Sequence, residues 1–225
     1  MQLYDHFDKE TLDYKLWTGI IPDTVSIKDV SLVPKHSILT FQVTKRKQSE
    51  KPPSGWEGPS IIATNSKFSE VKATLGLDFE ESIGIGNVYI RGTGYDDFMY
   101  LLGIDNSSTD IFFHIFNKYT EKYIQTGKIS HRFPEKTPKE SELIQLELIW
   151  QKGKIFYSIQ EKQHEFYIHD GLGELVERLQ KDSQQISKNG LKEFCIRVDL
   201  YTADEKKPST IKALIDKVEV RPVKQ

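Results

Sequence analysis

Two short apolar runs separated by turn chemistry do most to restrict the folds open to this chain. Residues 98–102 (FMYLL) and 111–116 (IFFHIF) are dense in aromatic and aliphatic side chains, and Gly103-Ile104-Asp105-Asn106-Ser107-Ser108 stands between them. Runs this short, bounded by Gly, Asn and Ser, read as neighbouring antiparallel strands joined by a loop. Tyr95-Asp96-Asp97 opens the first strand. Side chains two apart on a strand face the same way, so Tyr95 and Asp97 share a face, and a bulge brings Tyr100 onto it. An acid between tyrosines on one sheet face suits a sugar contact, and it equally suits a solvated strand end.

The same texture runs along the chain. Residues 38–45 alternate, with Leu39, Phe41 and Val43 on one face and Ile38, Thr40, Gln42 and Thr44 on the other. Residues 68–79 place Ser69, Val71, Ala73 and Leu75 opposite Phe68, Glu70, Lys72 and Thr74. Residues 143–150 send Ile144, Leu146, Leu148 and Trp150 inward, and Lys152-Gly153 turns the chain into the returning strand 154–160. A hairpin spans 116–128, residues 194–201 form a further strand, and 211–223 close the chain in another. Leu172, Leu175, Val176, Leu179 and Ile186 are spaced for a helix over 172–186, and Gly190 supplies its stop. Trp17 plugs one end of the core. Two breaker-rich loops, 46–60 around Trp56 and 130–141, interrupt the strands. Trp56 is either a lid over the sheet or an exposed stacking platform, because an indole stacks flat apolar rings and keeps its N–H for a hydrogen bond. The reading is one all-β domain over 1–225, a two-sheet antiparallel sandwich with one inserted helix.

Charge and cysteine exclude several classes. Thirty-one basic residues meet 33 acidic ones for a net charge of −2, which gives no electrostatic footing for nucleic acid or an anionic membrane. Cys195 is the one cysteine, so no intrachain disulfide forms, and its alternating setting reads as a buried core thiol. The N-terminus has neither a basic n-region nor an apolar h-region, which predicts a cytoplasmic protein. No His/Cys/Asp spacing suggests zinc, and the Gly84–Gly94 glycines lack the GxGxxG order of a phosphate loop.

In order along the chain, several segments resemble the concanavalin A-like lectin/glucanase superfamily, most closely the laminarinase-type family-16 glycoside hydrolases. They are DHFDKETLDYKLW at the start, KFSEVKATLGL, the hairpin LELIWQKGKIFYSI, and ALIDKVEVRPV at the end. The resemblance implies a jelly-roll sandwich with a sugar cleft across its concave sheet. It implies Glu, Asp and Glu on one face of one strand: a nucleophile, a tuning acid and an acid/base. Carried over, Asp97 matches the middle acid, while Tyr95 and Tyr100 occupy the glutamate positions. Retention requires two carboxyl groups about 5–5.5 Å apart, so the expectation is a degenerate cleft without cofactor. A structural calcium at Asp5, Asp8 and Asp216 is the one metal the resemblance suggests.

Three functions follow as expectations. The first is a non-catalytic carbohydrate-binding, lectin-like sandwich that contacts an oligo- or polysaccharide through Trp56, Tyr95, Asp97, Tyr100 and His114. The second is a glycoside hydrolase with displaced acids, pairing Asp97 with Glu147, whose apolar flanks would raise its pKa. The third is an intracellular module whose partner is another protein.

Overall fold

The computed structural model describes residues 1–20, 30–45, 59–106, 108, 110–130, 143–165, 174–201 and 209–223. Among them are fifteen strands and one helix. One sheet is built from β1 (Gln2–Asp5), β3 (Val30–Lys35), β4 (Ile38–Lys45), β6 (Phe68–Leu77), β11 (Ile144–Gln151), β12 (Lys154–Ile159), β13 (Lys162–Glu165) and β15 (Ser209–Pro222). The other contains β2 (Trp17–Ile20), β5 (Ser60–Ala63), β7 (Ile85–Thr93), β8 (Phe98–Asp105), β9 (Asp110–Asn117), β10 (Lys122–Ser130) and β14 (Glu193–Tyr201). The first has the order β13-β12-β11-β6-β15-β4-β3 with β1 also on β15, and the second has the order β10-β9-β8-β7-β14-β5-β2.

Alternation decides which face meets the other sheet. Val71, Ala73 and Leu75 of β6, Ile144, Leu146, Leu148 and Trp150 of β11, and Ile211, Ala213 and Ile215 of β15 are buried on the eight-stranded side. Opposite them lie Val88 and Ile90 of β7, Phe98, Tyr100, Leu102 and Ile104 of β8, and Phe194, Ile196 and Val198 of β14. Glycine makes one large contact fit: a Cβ on Gly92 would lie 2.7 Å from the Trp150 ring. Trp17 closes one end of the core, fully buried, with its indole N–H donating to Asp5 Oδ2 at 2.6 Å and its ring edge-on to Tyr4.

Three details depart from strict period-two reading. Phe68 joins the core although Glu70 faces out, because the β6–β15 register shifts between Arg221 and Pro222. A second shift between Ile215 and Lys217 lets Val218 and Val220 continue the inward face of β15 after Ile215. Strand β8 runs on through Gly103, Ile104 and Asp105, which local turn chemistry assigns to the loop. Pairing with β7 and β9 holds those residues extended, a tertiary contact that outweighs glycine's weak strand preference.

The helix α1 (Glu174–Asn189) ends at Gly190, whose φ of 80° is the left-handed conformation that stops helices. It packs against β6, β11 and β12. Leu179 and Ile186 enter the core, and the Ser183 and Ser187 hydroxyls donate to the carbonyls of Lys154 and Trp150 at 2.7 and 2.8 Å. The helix therefore closes the sandwich beside the Lys152-Gly153 turn. No helix among the described residues is long and apolar enough to cross a membrane.

Candidate functional site

The outer face of the seven-stranded sheet carries what chemistry the chain concentrates. On β7 the outward positions are Asn87, Tyr89, Arg91 and Thr93, and on β14 they are Glu193, Cys195, Arg197 and Asp199, each opposite its partner in the ladder. On β8 they are Met99, Leu101, Gly103 and Asp105, and on β9 Phe112, His114 and Phe116. Leu101 and His114 stand opposite each other, as do Gly103 and Phe112.

An aromatic row crosses this face. The Tyr123 ring of β10 is 5.1 Å from His114 and 5.1 Å from Phe116, His114 stacks on Phe112 at 5.0 Å, and Phe112 meets Tyr89 edge-on at 5.9 Å. Gly103 makes the last contact fit, since a Cβ there would fall 2.3 Å from Tyr89 Cβ. The row ends in a polar cluster. The Tyr89 hydroxyl donates to Asp199 Oδ2 at 2.9 Å, and Arg197 Nε donates to Asp199 Oδ1 at 2.7 Å. Arg91 Nη2 donates to Glu193 Oε1 at 2.5 Å. Burial pushes the Tyr89 hydroxyl well above its ordinary pKa, and the Asp199 charge adds to the effect. The Tyr123 hydroxyl is also raised, by burial first and then by the same Asp199 charge, so the two ends of the row sense each other.

Accessibility divides the face. Met99, Leu101, His114 and Phe116 are half-buried and Tyr123 is exposed, whereas Tyr89, Arg197 and Asp199 are 3%, 7% and 2% exposed. Cys195 lies between the arginines, buried as expected but on the outer face of the sheet and not in the core, and its thiol pKa is raised chiefly by that burial.

The sequence-derived site residues are not gathered in one place. His114 lies on the aromatic row. Tyr100 does not share a face with Tyr95 and Asp97. It points between the sheets, fully buried and edge-on to Trp150 at 5.4 Å, because β8 begins only at Phe98 and alternates regularly from there. Asp97 precedes the strand in a left-handed conformation with φ 58° and is exposed. Tyr95 is half-buried against the core edge, with Lys192 Nζ 5.6 Å over its ring. Trp56 lies outside the described residues.

What organises the tyrosine segment is a residue that the sequence reading passed over, Asp182 of α1. Its Oδ1 accepts the backbone N–H groups of Tyr95 and Asp96 at 2.5 and 2.9 Å, and its Oδ2 accepts the Tyr100 hydroxyl at 2.6 Å. Arg178 adds a pair to Asp96 at 2.6 Å. The segment 95–100 is thus where the helix is fastened to the seven-stranded sheet.

Asp97 and Glu147 are likewise apart. Glu147 lies on the outer face of the eight-stranded sheet, opposite Lys72. Its carboxyl is pushed up to about 7, first by burial and then by a hydrogen bond and charge shared with Glu70. Glu70 is itself paired with Arg221 at 3.0 Å. The apolar neighbours Leu146 and Leu148 face the core, so the shift arises on the outer face, not from the flanks that suggested it. The second carboxyl that Glu147 meets comes from the cross-strand neighbourhood of β6, which no local spacing reveals.

The calcium suggestion does not fit. Asp5 Oδ2 takes the Trp17 indole N–H and its Oδ1 takes the Phe7 N–H, and no group of three metal-ligating side chains forms among the described residues. The residues of this candidate face that the sequence reading did not assign to a site are Tyr89, Arg91, Phe112, Tyr123, Glu193, Arg197 and Asp199. For Tyr89, Arg91, Glu193, Arg197 and Asp199 the signal was present as polar residues at every second position of NVYIRGT and EFCIRVD. Nothing local says that these strands are neighbours.

No family model matches the chain, and no curated protein matches it. Solved structures do match over its full length. The laminarinase catalytic domain from Thermotoga maritima superposes with a TM-score of 0.66 at 12% identity, covering 100% of this chain and 99% of that one. A β-1,3-1,4-glucanase (lichenase) from a mouse hindgut metagenome gives 0.63 at 12% identity over 97% and 98%. A family-16 endo-glucanase from Bacteroides ovatus, solved with a glucan oligosaccharide, gives 0.61 at 12% identity over 96% and 98%. The chain has the concanavalin A-like jelly-roll fold of the family-16 glucanases, an antiparallel two-sheet sandwich with one helix.

Proposed function

We propose that the protein binds an oligo- or polysaccharide on the outer face of its seven-stranded sheet and does not cleave it. The observation that carries this reading is the outer face of β8. Its central positions are Met99, Leu101 and Gly103, none of which has a carboxyl group. Asp105 is the outward acid of β8, and Glu193 and Asp199 are those of β14, with β7 standing between the two strands. The two acids of β14 are already committed, Glu193 to Arg91 and Asp199 to Tyr89 and Arg197, which speaks against either serving as the nucleophile or proton donor of a retaining pair. The row of Tyr123, His114 and Phe112 supports binding, since aromatic faces take the apolar face of a sugar ring and Tyr and His tips can meet its hydroxyls.

Calorimetric titration with β-1,3/1,4-gluco-oligosaccharides tests the proposal, with a reducing-end assay alongside it. The wild-type protein binds and releases no reducing ends, while His114→Ala and Tyr123→Ala each weaken binding about tenfold, the size expected from losing roughly 1–1.5 kcal/mol of ring contact. A folded wild type that binds none of these sugars overturns the reading. So does hydrolysis that Asp105→Asn or Asp199→Asn abolishes.

A further inference from the structure

We infer that the end of this face formed by Arg91, Arg197 and Asn87 takes the acid group of an acidic saccharide, a uronate carboxylate, so that the ligand is a charged glycan rather than a neutral glucan. The inference rests on the sugar-binding reading and names the ligand class of that same face.

Its basis is a set of hydrogen-bonding atoms left over after the cluster has paired. Arg91 uses Nη2 on Glu193 and Arg197 uses Nε on Asp199. Arg91 Nε and Arg197 Nη2 are buried without a partner among the described residues, and so is Asn87 Oδ1. Buried polar atoms nearly always find a partner, and the exceptions point to a missing ligand or water. An arginine has no acceptor and stays charged, so each unused N–H can be met only by an acceptor, best by an anion.

The two arginines are close. Arg197 lies opposite Tyr89 and Cys195 opposite Arg91, which makes Arg91 and Arg197 diagonal neighbours across the β7–β14 ladder. Diagonal residues on one sheet face are within reach of long side chains, and the positive charge of each opposes the other in this shielded setting. An anion between them relieves that repulsion and supplies acceptors to both unused donors. Glu193 and Asp199 balance the two guanidiniums in formal charge, yet neither takes up the remaining N–H groups.

Asn87 completes the pattern. It stands opposite Asp199 on the same face, and its orphaned oxygen requires a donor. One ligand satisfies both demands when it carries hydroxyl donors and a carboxylate acceptor on the same ring, as a sugar acid does. Entry is from the Arg91 side: the Arg91 and Glu193 side chains are 14% and 37% exposed, whereas those of Arg197 and Asp199 are 8% and 3% exposed. The aromatic row then takes the neutral remainder of the chain.

The test compares a β-linked oligoglucuronate with a gluco-oligosaccharide of equal length, titrated calorimetrically at low and moderate salt. Wild type binds the oligoglucuronate at least tenfold more tightly, and the preference shrinks as salt rises. Arg91→Gln lowers oligoglucuronate affinity at least tenfold more than gluco-oligosaccharide affinity, so the preference disappears; losing the Glu193 pair lowers the melting temperature, and the circular-dichroism spectrum checks that the variant is folded. Arg91→Lys, which keeps a charge but loses the planar fork, retains part of the preference. Equal binding of both sugars overturns this inference and leaves the sugar-binding reading standing, as does a preference that survives in Arg91→Gln. A folded wild type that binds neither sugar overturns both.

Discussion

At the scale of the residue, one aspartate fastens in place the segment that the sequence reads as a sugar contact. Asp182 satisfies two backbone N–H groups and the Tyr100 hydroxyl at once. Burial raises its pKa, and the hydrogen bonds it accepts oppose that rise. Asp182→Ala leaves three donors without their acceptor and is expected to cost about 2–4 kcal/mol, seen as a lower urea midpoint with an unchanged slope. Asp182→Asn keeps one carbonyl acceptor and should cost less. Gly94 belongs to the same lock, because a Cβ there would run into the Asp182 carboxylate. Glu147 presents the opposite problem, a carboxyl that the fold prefers protonated. Its folded pKa of about 7 lies above its ordinary value of 4.5. Between those values the folded state holds more protons than the unfolded state, so its stability contribution is present below pH 4.5 and lost as pH rises through 7. Glu147→Gln should therefore stabilise the protein at pH 8, on the order of 1 kcal/mol once solvent screening of the half-buried Glu147 is allowed for, and change little at pH 4.5. Thermal melts of both proteins at the two pH values check this, and a larger gain at pH 4.5 than at pH 8 refutes it.

At the scale of the element, local sequence was a sound guide wherever one face of a strand was apolar. The inward sets of β4 and β11 could be read directly, since a strand with one face on the core must repeat every two residues. The hairpin turn was legible for a similar reason: Lys152 and Gly153 take φ values of 52° and 77°, the pair of positive angles that tight hairpins require. The helix stop was legible too. Gly190 is held by a further constraint that no sequence shows, because a Cβ there would lie 2.4 Å from the Lys67 backbone. Gly190→Ala is thus expected to cost more than the ordinary penalty of about 1 kcal/mol for a left-handed alanine, and chemical denaturation measures it. The errors were of one kind. The expected bulge turns Tyr100 to the wrong face, and strict alternation sets Phe68 on the face opposite Val71, Ala73 and Leu75, although the irregularity shared with β15 brings it into the core with them. A bulge is set by the register of two strands, so the sequence of one strand cannot locate it.

At the scale of the whole molecule, the two sheets present unlike outer faces. The eight-stranded sheet carries ion pairs such as Arg221–Glu70 and Lys72–Glu219, while the seven-stranded sheet carries the aromatic row and the arginine–carboxylate cluster. Binding on the second face should raise thermal stability without altering the unfolded state, by about 2.7 kcal/mol at a ligand concentration one hundred times Kd. Differential scanning calorimetry with and without sugar reads this shift, and its absence at saturating ligand contradicts the proposed site. The sequence by itself determined the antiparallel sandwich, most of its inward faces, the turn, the helix and its stop. Each of these follows from the period of apolar residues or from backbone angles that few residue types can adopt. Only the tertiary structure decided the site. Tyr89, Arg91, Arg197 and Asp199 come from strands more than 100 residues apart, joined when β14 pairs with β7, and sequence spacing carries no information about which strands become neighbours across a sheet.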